Sequence, residues 1–129
     1  MPHFIVEFTA NLEKEGDIPG FLRKVHEALI AEREVFEVGA VRSRAVRLDT
    51  YRMADGEADY AFVHGTLKIG AGRDQATRKR VGDRLFDVMK AHFDALYQKR
   101  YLALSLEIVE LSETSNYKRN NVHARFRKA

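Results

Sequence analysis

The chain has no cysteine and only two prolines among its 129 residues. Without cysteine, disulfide bonds and thiolate-bound metals are excluded, and a cytoplasmic home is the expectation. No apolar run reaches the roughly 18 residues that a membrane span needs. Residues 1–10 contain an acidic side chain and no basic start, so no signal peptide is predicted.

The net charge is also small: 22 lysines and arginines nearly balance 19 acidic residues, and the formal net charge is +3. This slight excess favours anionic partners, but most of the surface is expected to be a mixture of both signs. The chain is 45% hydrophobic and 32% charged, a balance typical of globular proteins. The length predicts one domain over residues 1–129 with a modest core.

The first half of the chain has a β-α-β pattern. Alternating β-favouring residues predict a strand over His3–Phe8, and residues 40–49 predict a second one. Between them, Asp17 is expected to cap a helix of about 14 residues whose first turn accommodates Pro19. These elements form a first unit over about residues 2–50.

The same order recurs in the second half. A strand is predicted at residues 60–69, a helix from about Asp74 to Tyr97, and a closing strand with period two around residues 102–108. This second unit spans about residues 59–111. Residues 112–129 follow as a C-terminal extension, and from Asn116 onward they are expected to form an extension or a short hairpin.

Together the two units predict an α+β fold, a four-stranded sheet with two helices on one face. The other face carries either Tyr60 and Phe62, or Val63 and Leu67, depending on register. Either pair leaves apolar area that needs cover. Self-association is therefore expected.

Pro2 becomes the amino terminus once Met1 is removed, and a small second residue generally permits that removal. A free α-amine has a reference pKa of about 7.7–8.0. Burial or neighbouring guanidinium groups lower that pKa, because both disfavour the protonated form. Pro2 is thus either a frayed end of no consequence or a general base suited to neutral pH.

Two further segments carry arginines that suit anions. In Val41–Arg44, period two places Arg42 and Arg44 on one strand face, as carboxylate ligands or as solvated surface side chains. In residues 68–73, a glycine pair precedes Arg73 between a strand and a helix. It is either an anion site at a helix start or a plain loop. It is not a dinucleotide fingerprint, since Gln75 stands where the third glycine belongs.

These segments resemble one known family along nearly the whole chain. The stretches PHFIVEF, VRSR, MADGEADYAFVHGTLKIGAGR and NNVHARF resemble 5-carboxymethyl-2-hydroxymuconate delta-isomerase. That family belongs to the amino-terminal-proline tautomerase superfamily, alongside 4-oxalocrotonate tautomerase. The chain departs from the family pattern in residues 32–39, which contain an extra residue, and at Val41, where the family has isoleucine.

The resemblance implies a homotrimer of fused β-α-β units and an enzyme that needs no cofactor or metal. It maps the family's proton-shuttling base onto Pro2 and its carboxylate-binding arginines onto Arg42 and Arg73. The implied reaction moves a proton from the 2-hydroxyl of a carboxylated dienol to a carbon farther along, giving an unsaturated ketone. In the family this step belongs to bacterial breakdown of homoprotocatechuate, an aromatic compound.

Two other functions are compatible with this order of strands and helices. A tautomerase fold acting on another enol remains open, because a fold does not fix a function. A ferredoxin-like RNA-binding module has the same element order, with Tyr60 and Phe62 on the third strand as stacking aromatics. However, its motif is incomplete here, because Gly65 replaces the last aromatic, and both aromatics are expected to pack instead. The basic residues of the C-terminal extension are then expected to be solvated or at a subunit interface.

A metal site is a further alternative. The five histidines are too scattered along the sequence for a known metal-binding motif.

Overall fold

The computed structural model describes residues 1–127. The first unit consists of strand β1 (His3–Thr9), helix α1 (Ile18–Ala31) and strand β2 (Arg42–Leu48). The second consists of strand β3 (Tyr60–Gly70), helix α2 (Gln75–Lys99) and strand β4 (Tyr101–Leu111). Two 3-10 turns occupy Ala10–Leu12 and Val38–Ala40, and a short helix α3 (His123–Phe126) lies in the C-terminal extension.

Local chemistry fixes where both long helices begin. The Asp17 carboxylate accepts a hydrogen bond from the Gly20 amide at 3.2 Å, and the Asp74 carboxylate accepts one from the Thr77 amide at 2.8 Å. Each satisfies a donor that a helix start leaves open. A Cβ at Gly20 would lie 2.1 Å from the Asp17 carboxylate, so a larger residue there would displace the capping side chain.

The strand order in the sheet is β2-β1-β3-β4. Strands β1 and β2 pair in parallel, as do β3 and β4, while β1 and β3 are antiparallel neighbours. Each unit therefore keeps its own two strands side by side. The ferredoxin-like alternative is wrong on this point, because its split β-α-β units insert a strand between the two.

The core lies between one sheet face and both helices, as the sequence predicts. Phe4 of β1 meets Phe21 of α1 edge-on, with ring centroids 6.1 Å apart, and Phe21 also lies 5.0 Å from Phe93 of α2. All three are fully buried. Burial of large aromatic rings is a major part of what stabilises a domain of this size.

In the part of the chain that the structure describes, no helix packs on the opposite sheet face. Strand β3 alternates strictly between buried and half-buried residues, and Tyr60 and Phe62 are on the half-buried side. The Tyr60 hydroxyl donates to Asp55 at 2.7 Å, and the Phe62 ring meets Tyr51 edge-on at 6.2 Å. Both aromatics therefore pack against neighbours, which does not suit base stacking. Within residues 1–127, no helix is long and apolar enough to cross a membrane.

Candidate active site

Parallel pairing of β1 and β2 brings the amino terminus next to Arg42. His3 lies opposite Arg42 in the register, and the Arg42 amide donates to the Pro2 carbonyl at 3.2 Å. Because β3 runs antiparallel to β1, its last residues reach the same edge of the sheet, where Lys68 pairs with His3. Arg73 follows directly after that strand. The fold therefore collects Pro2, Arg42 and Arg73 at one edge, although they are far apart in sequence.

Arg73 is held in place by the backbone. Its guanidinium donates to the carbonyls of Val35 at 2.7 Å and Gly70 at 3.0 Å, and it lies 5.1 Å from the centre of the Phe36 ring. The chain reaches this position through Gly72, whose φ of +105° is a left-handed value that favours glycine. A guanidinium has five N–H donors, so three remain for an anion.

The Gly70–Gly72 segment is a plain loop rather than an anion site at a helix start. Helix α2 begins only at Gln75, and the Asp74 carboxylate caps it. A negative side chain at that position disfavours a second anion beside the helix terminus. The loop contributes by aiming Arg73 instead.

A cleft of about 520 Å³ opens at this edge of the sheet. Pro2 is buried behind Met1, which lies in the cleft wall together with Arg73. The Arg42 side chain does not line the cleft. The lining residues come from four parts of the chain: the amino terminus (Met1), the segment after α1 (Arg33, Glu34, Val35, Phe36, Glu37, Ala40), the loop after β3 (Arg73), and the C-terminal extension (Lys118, Arg119, Asn120, His123, Arg127).

Burial and positive charge act on the amine at the chain start. Burial is the main reason that the pKa of the Met1 amine is lowered, followed by the charges of Arg73, Lys118 and Arg42; Glu37 acts in the opposite direction. An amine in this environment releases its proton at a lower pH than a free terminus does. The Pro2 nitrogen is an amide while Met1 is attached, and it would become the terminal amine on Met1 removal.

Arg42 and Arg44 share a strand face, as predicted, but have different surroundings. The Arg44 guanidinium lies 3.2 Å from His3 Nδ1. Burial, then the charges of Arg42 and Arg44, lower the pKa of His3. A neutral imidazole accepts the hydrogen bond that an arginine donates. Arg44 is therefore engaged with His3, whereas Arg42 lies nearer to the chain start.

The C-terminal extension forms one wall of the cleft, which sequence patterns did not reveal. Of the two alternatives expected from Asn116 onward, an extension or a short hairpin, residues 116–127 form no hairpin, and helix α3 packs on the Val38–Ala40 turn. The Asn120 side chain donates to the Gly39 carbonyl at 2.8 Å. A Cβ at Gly39 would lie 3.0 Å from the His123 backbone, so a larger residue there would need helix α3 to move slightly away from the turn.

Glu37 joins that extension to the segment after α1. Its carboxylate accepts a hydrogen bond from Arg127 at 2.5 Å and lies 2.9 Å from His123 Nδ1. The hydrogen bond from Arg127 holds the pKa of Glu37 below its ordinary value. Among the tail's basic residues, Arg127 thus pairs within the chain, while Lys118 faces the cleft. The NNVHARF stretch was the one available signal, because it belongs to the resembling segments.

The chain matches one protein family along almost its whole length. The profile of the 5-carboxymethyl-2-hydroxymuconate isomerase family matches residues 2–126. The 5-carboxymethyl-2-hydroxymuconate Delta-isomerase of Escherichia coli is 52% identical over 127 residues, covering 98% of this chain and 100% of its own. The crystal structure of a 5-carboxymethyl-2-hydroxymuconate isomerase from Deinococcus radiodurans R1 is 47% identical, with a TM-score of 0.95 over 98% of this chain and 95% of that one.

The same fold occurs in a solved structure of much lower sequence identity. A fused 4-OT, described as a symmetric trimer, is 13% identical, with a TM-score of 0.63 over 85% of this chain and 87% of that one. At this identity the likeness concerns the fold alone. The predicted fold class and the assignment as an isomerase are confirmed. The chain belongs to the 5-carboxymethyl-2-hydroxymuconate isomerase family.

Proposed function

We propose that the mature chain converts the enol 5-carboxymethyl-2-hydroxymuconate to its unsaturated keto isomer, without a cofactor. The observation that carries this proposal is the position of the chain start, inside a cleft with Arg73 and Lys118 in its wall. The named relative at 52% identity supports the choice of substrate. We further propose that the reaction serves bacterial breakdown of homoprotocatechuate.

Pro2 is the proposed base. Once Met1 is removed, its secondary amine takes the proton from the 2-hydroxyl of the substrate, and the electron pair moves into the conjugated chain. The same nitrogen returns a proton to a carbon farther along, which leaves a ketone at C2. A lowered pKa increases the unprotonated fraction of such an amine near neutral pH, and the unprotonated form begins this cycle.

Arg73 and Arg42 are the proposed carboxylate ligands. Arg73 lines the cleft and is already fixed by two backbone carbonyls, so little entropy is lost when it binds a carboxylate. Charge that moves toward a carboxylate during proton transfer is stabilised by a cation already in position. Arg42 lies at the start of β2 beside Pro2 and acts on the amine as well as on the substrate.

We also propose that the active molecule is a homotrimer. The sheet face opposite the helices carries the half-buried side chains of Tyr60 and Phe62, and contact between subunits would cover them. The fold is shared with a fused 4-OT described as a symmetric trimer.

Turnover by the mature protein tests the proposed function. Intact-mass analysis should show that Met1 is lost. Turnover of 5-carboxymethyl-2-hydroxymuconate is then measured as the decrease in its dienol absorbance. We expect kcat/KM on this compound to exceed that on a phenylpyruvate enol by at least about tenfold, a difference of about 1.4 kcal/mol in the barrier. A higher value on the phenylpyruvate enol would instead favour a tautomerase with another enol substrate.

A further inference from the structure

Lys118 is a positively charged residue of the cleft that lies outside the strands and helices. It lies in the irregular stretch between β4 and α3, and its exposed side chain lines the same cleft as Met1 and Arg73. Its charge reaches the chain start, since it is among the causes that lower the pKa of the Met1 amine, ahead of Arg42. Lys118 therefore acts on the site where the reaction is proposed to occur.

The stretch that carries Lys118 is attached to the body of the protein close by. Two residues further on, Asn120 donates to the Gly39 carbonyl at 2.8 Å and accepts from the Val122 amide at 2.9 Å. His123 and Arg127 both reach the Glu37 carboxylate. These contacts limit how far the backbone at Lys118 can move away from the cleft.

Lys118 has no acidic partner within residues 1–127 at ion-pair distance. The cleft contains two carboxylates, Glu34 and Glu37, and Glu37 is already engaged by Arg127 and His123. A lysine that lines a cleft and forms no ion pair with these carboxylates is available to a carboxylate of the ligand.

The charge of the proposed substrate matches this arrangement. A muconate has a carboxylate at each end, and the carboxymethyl branch adds a third. Arg73 in the cleft and Arg42 at the start of β2, which is not among the lining residues, are the proposed ligands of two carboxylates, and Lys118 lies in the part of the cleft that the C-terminal extension lines. Resting on the proposed function, we propose that Lys118 binds the third carboxylate and thereby sets the preference for tricarboxylate over dicarboxylate enols.

The test compares two substrates that differ only in the carboxymethyl branch, 5-carboxymethyl-2-hydroxymuconate and 2-hydroxymuconate. In Lys118→Met we expect kcat/KM on the branched compound to fall roughly ten- to a hundredfold, as for loss of one charge-assisted hydrogen bond. The value on 2-hydroxymuconate should change less than about threefold, and Lys118→Arg should restore most of the loss. Most of the effect should appear in KM, because a bound carboxylate away from the reacting atoms contributes equally to ground and transition states.

Lys14→Met is the matched control. Lys14 is exposed and follows the far end of β1, roughly 20 Å along the strand from the cleft, so its removal should leave both substrates unchanged. Equal losses on the two substrates in Lys118→Met, or no loss on either, would overturn the assignment.

A binding measurement separates this proposal from the proposed function. Calorimetry with two unreactive ligands, propane-1,2,3-tricarboxylate and glutarate, should show tighter binding of the tricarboxylate by the wild type. Lys118→Met should remove that preference. If the preference depends on Lys118 but neither enol is turned over, the proposed function fails and the third-carboxylate site stands. If both enols react and the preference survives in Lys118→Met, the function stands and the site is wrong.

Discussion

Inserting one alanine between Met1 and Pro2 should lower kcat/KM on 5-carboxymethyl-2-hydroxymuconate by at least about 10²–10⁴-fold, the usual contribution of a general base. In the mature variant the Pro2 nitrogen is an amide and cannot accept a proton. The new terminal amine takes the place that the Met1 amine has here, still in the cleft and beside Arg73. It lies one residue, about 3.8 Å, too far out, and a displacement of this size removes most of the benefit of positioning.

Pro2→Ala provides the matched comparison for the insertion. Its mature chain has a primary amine where the proline nitrogen would be, so it should retain more activity than the insertion variant. Circular dichroism and oligomer size should be the same for both variants and the wild type, since residues 1 and 2 precede β1. An insertion variant that works within tenfold of the wild type would show that the reaction does not need the Pro2 nitrogen.

Replacing Arg73 by alanine should lower kcat about 10²–10³-fold, the range for loss of one positioned donor that stabilises developing charge. The guanidinium is held by the carbonyls of Val35 and Gly70 and packs beside Phe36. Lysine cannot reproduce two backbone contacts and still offer a forked pair of donors. Arg73→Lys should therefore recover only a small part of the loss.

Arg23→Ala serves as the control for Arg73→Ala. Arg23 is exposed on α1 and is not among the residues of the cleft, so its removal should leave kcat and KM unchanged. Thermal unfolding of both variants tells loss of catalysis from loss of fold, because Arg73→Ala also leaves two carbonyls without their donor. Equal kinetics in the two variants, with Arg73→Ala folded, would remove Arg73 from the site.

The regular elements could be predicted because their signals are local. Alternation in β3 and the apolar stripe of α2 place those elements within one or two residues of where they lie, at Tyr60–Gly70 and Gln75–Lys99. The prediction for β2 began two residues early. Residues 38–40 form a 3-10 turn there, and a hydrogen bond from Val41 to Val38 closes it.

Strand order and the far wall of the cleft could not be read in this way. The β-α-β-β-α-β order fits both the observed pairing and the ferredoxin-like one, and only the pairing of β1 with β2 and of β3 with β4 distinguishes them. The approach of Lys118 to the cleft depends on Asn120 and His123 meeting Gly39 and Glu37. Those contacts join distant parts of the chain and leave no periodic pattern in an irregular stretch.

The protonation state of the Pro2 nitrogen in the mature protein can be measured by ¹⁵N NMR titration of protein labelled at proline. Burial and the nearby cations disfavour the protonated form, so the midpoint should lie below the value of about 7.7–8.0 typical of α-amines. The midpoint should also rise in Arg73→Ala, because one of those cations is gone. A midpoint well above that reference value, or one that does not respond to Arg73, would contradict an unprotonated base in a cationic cleft.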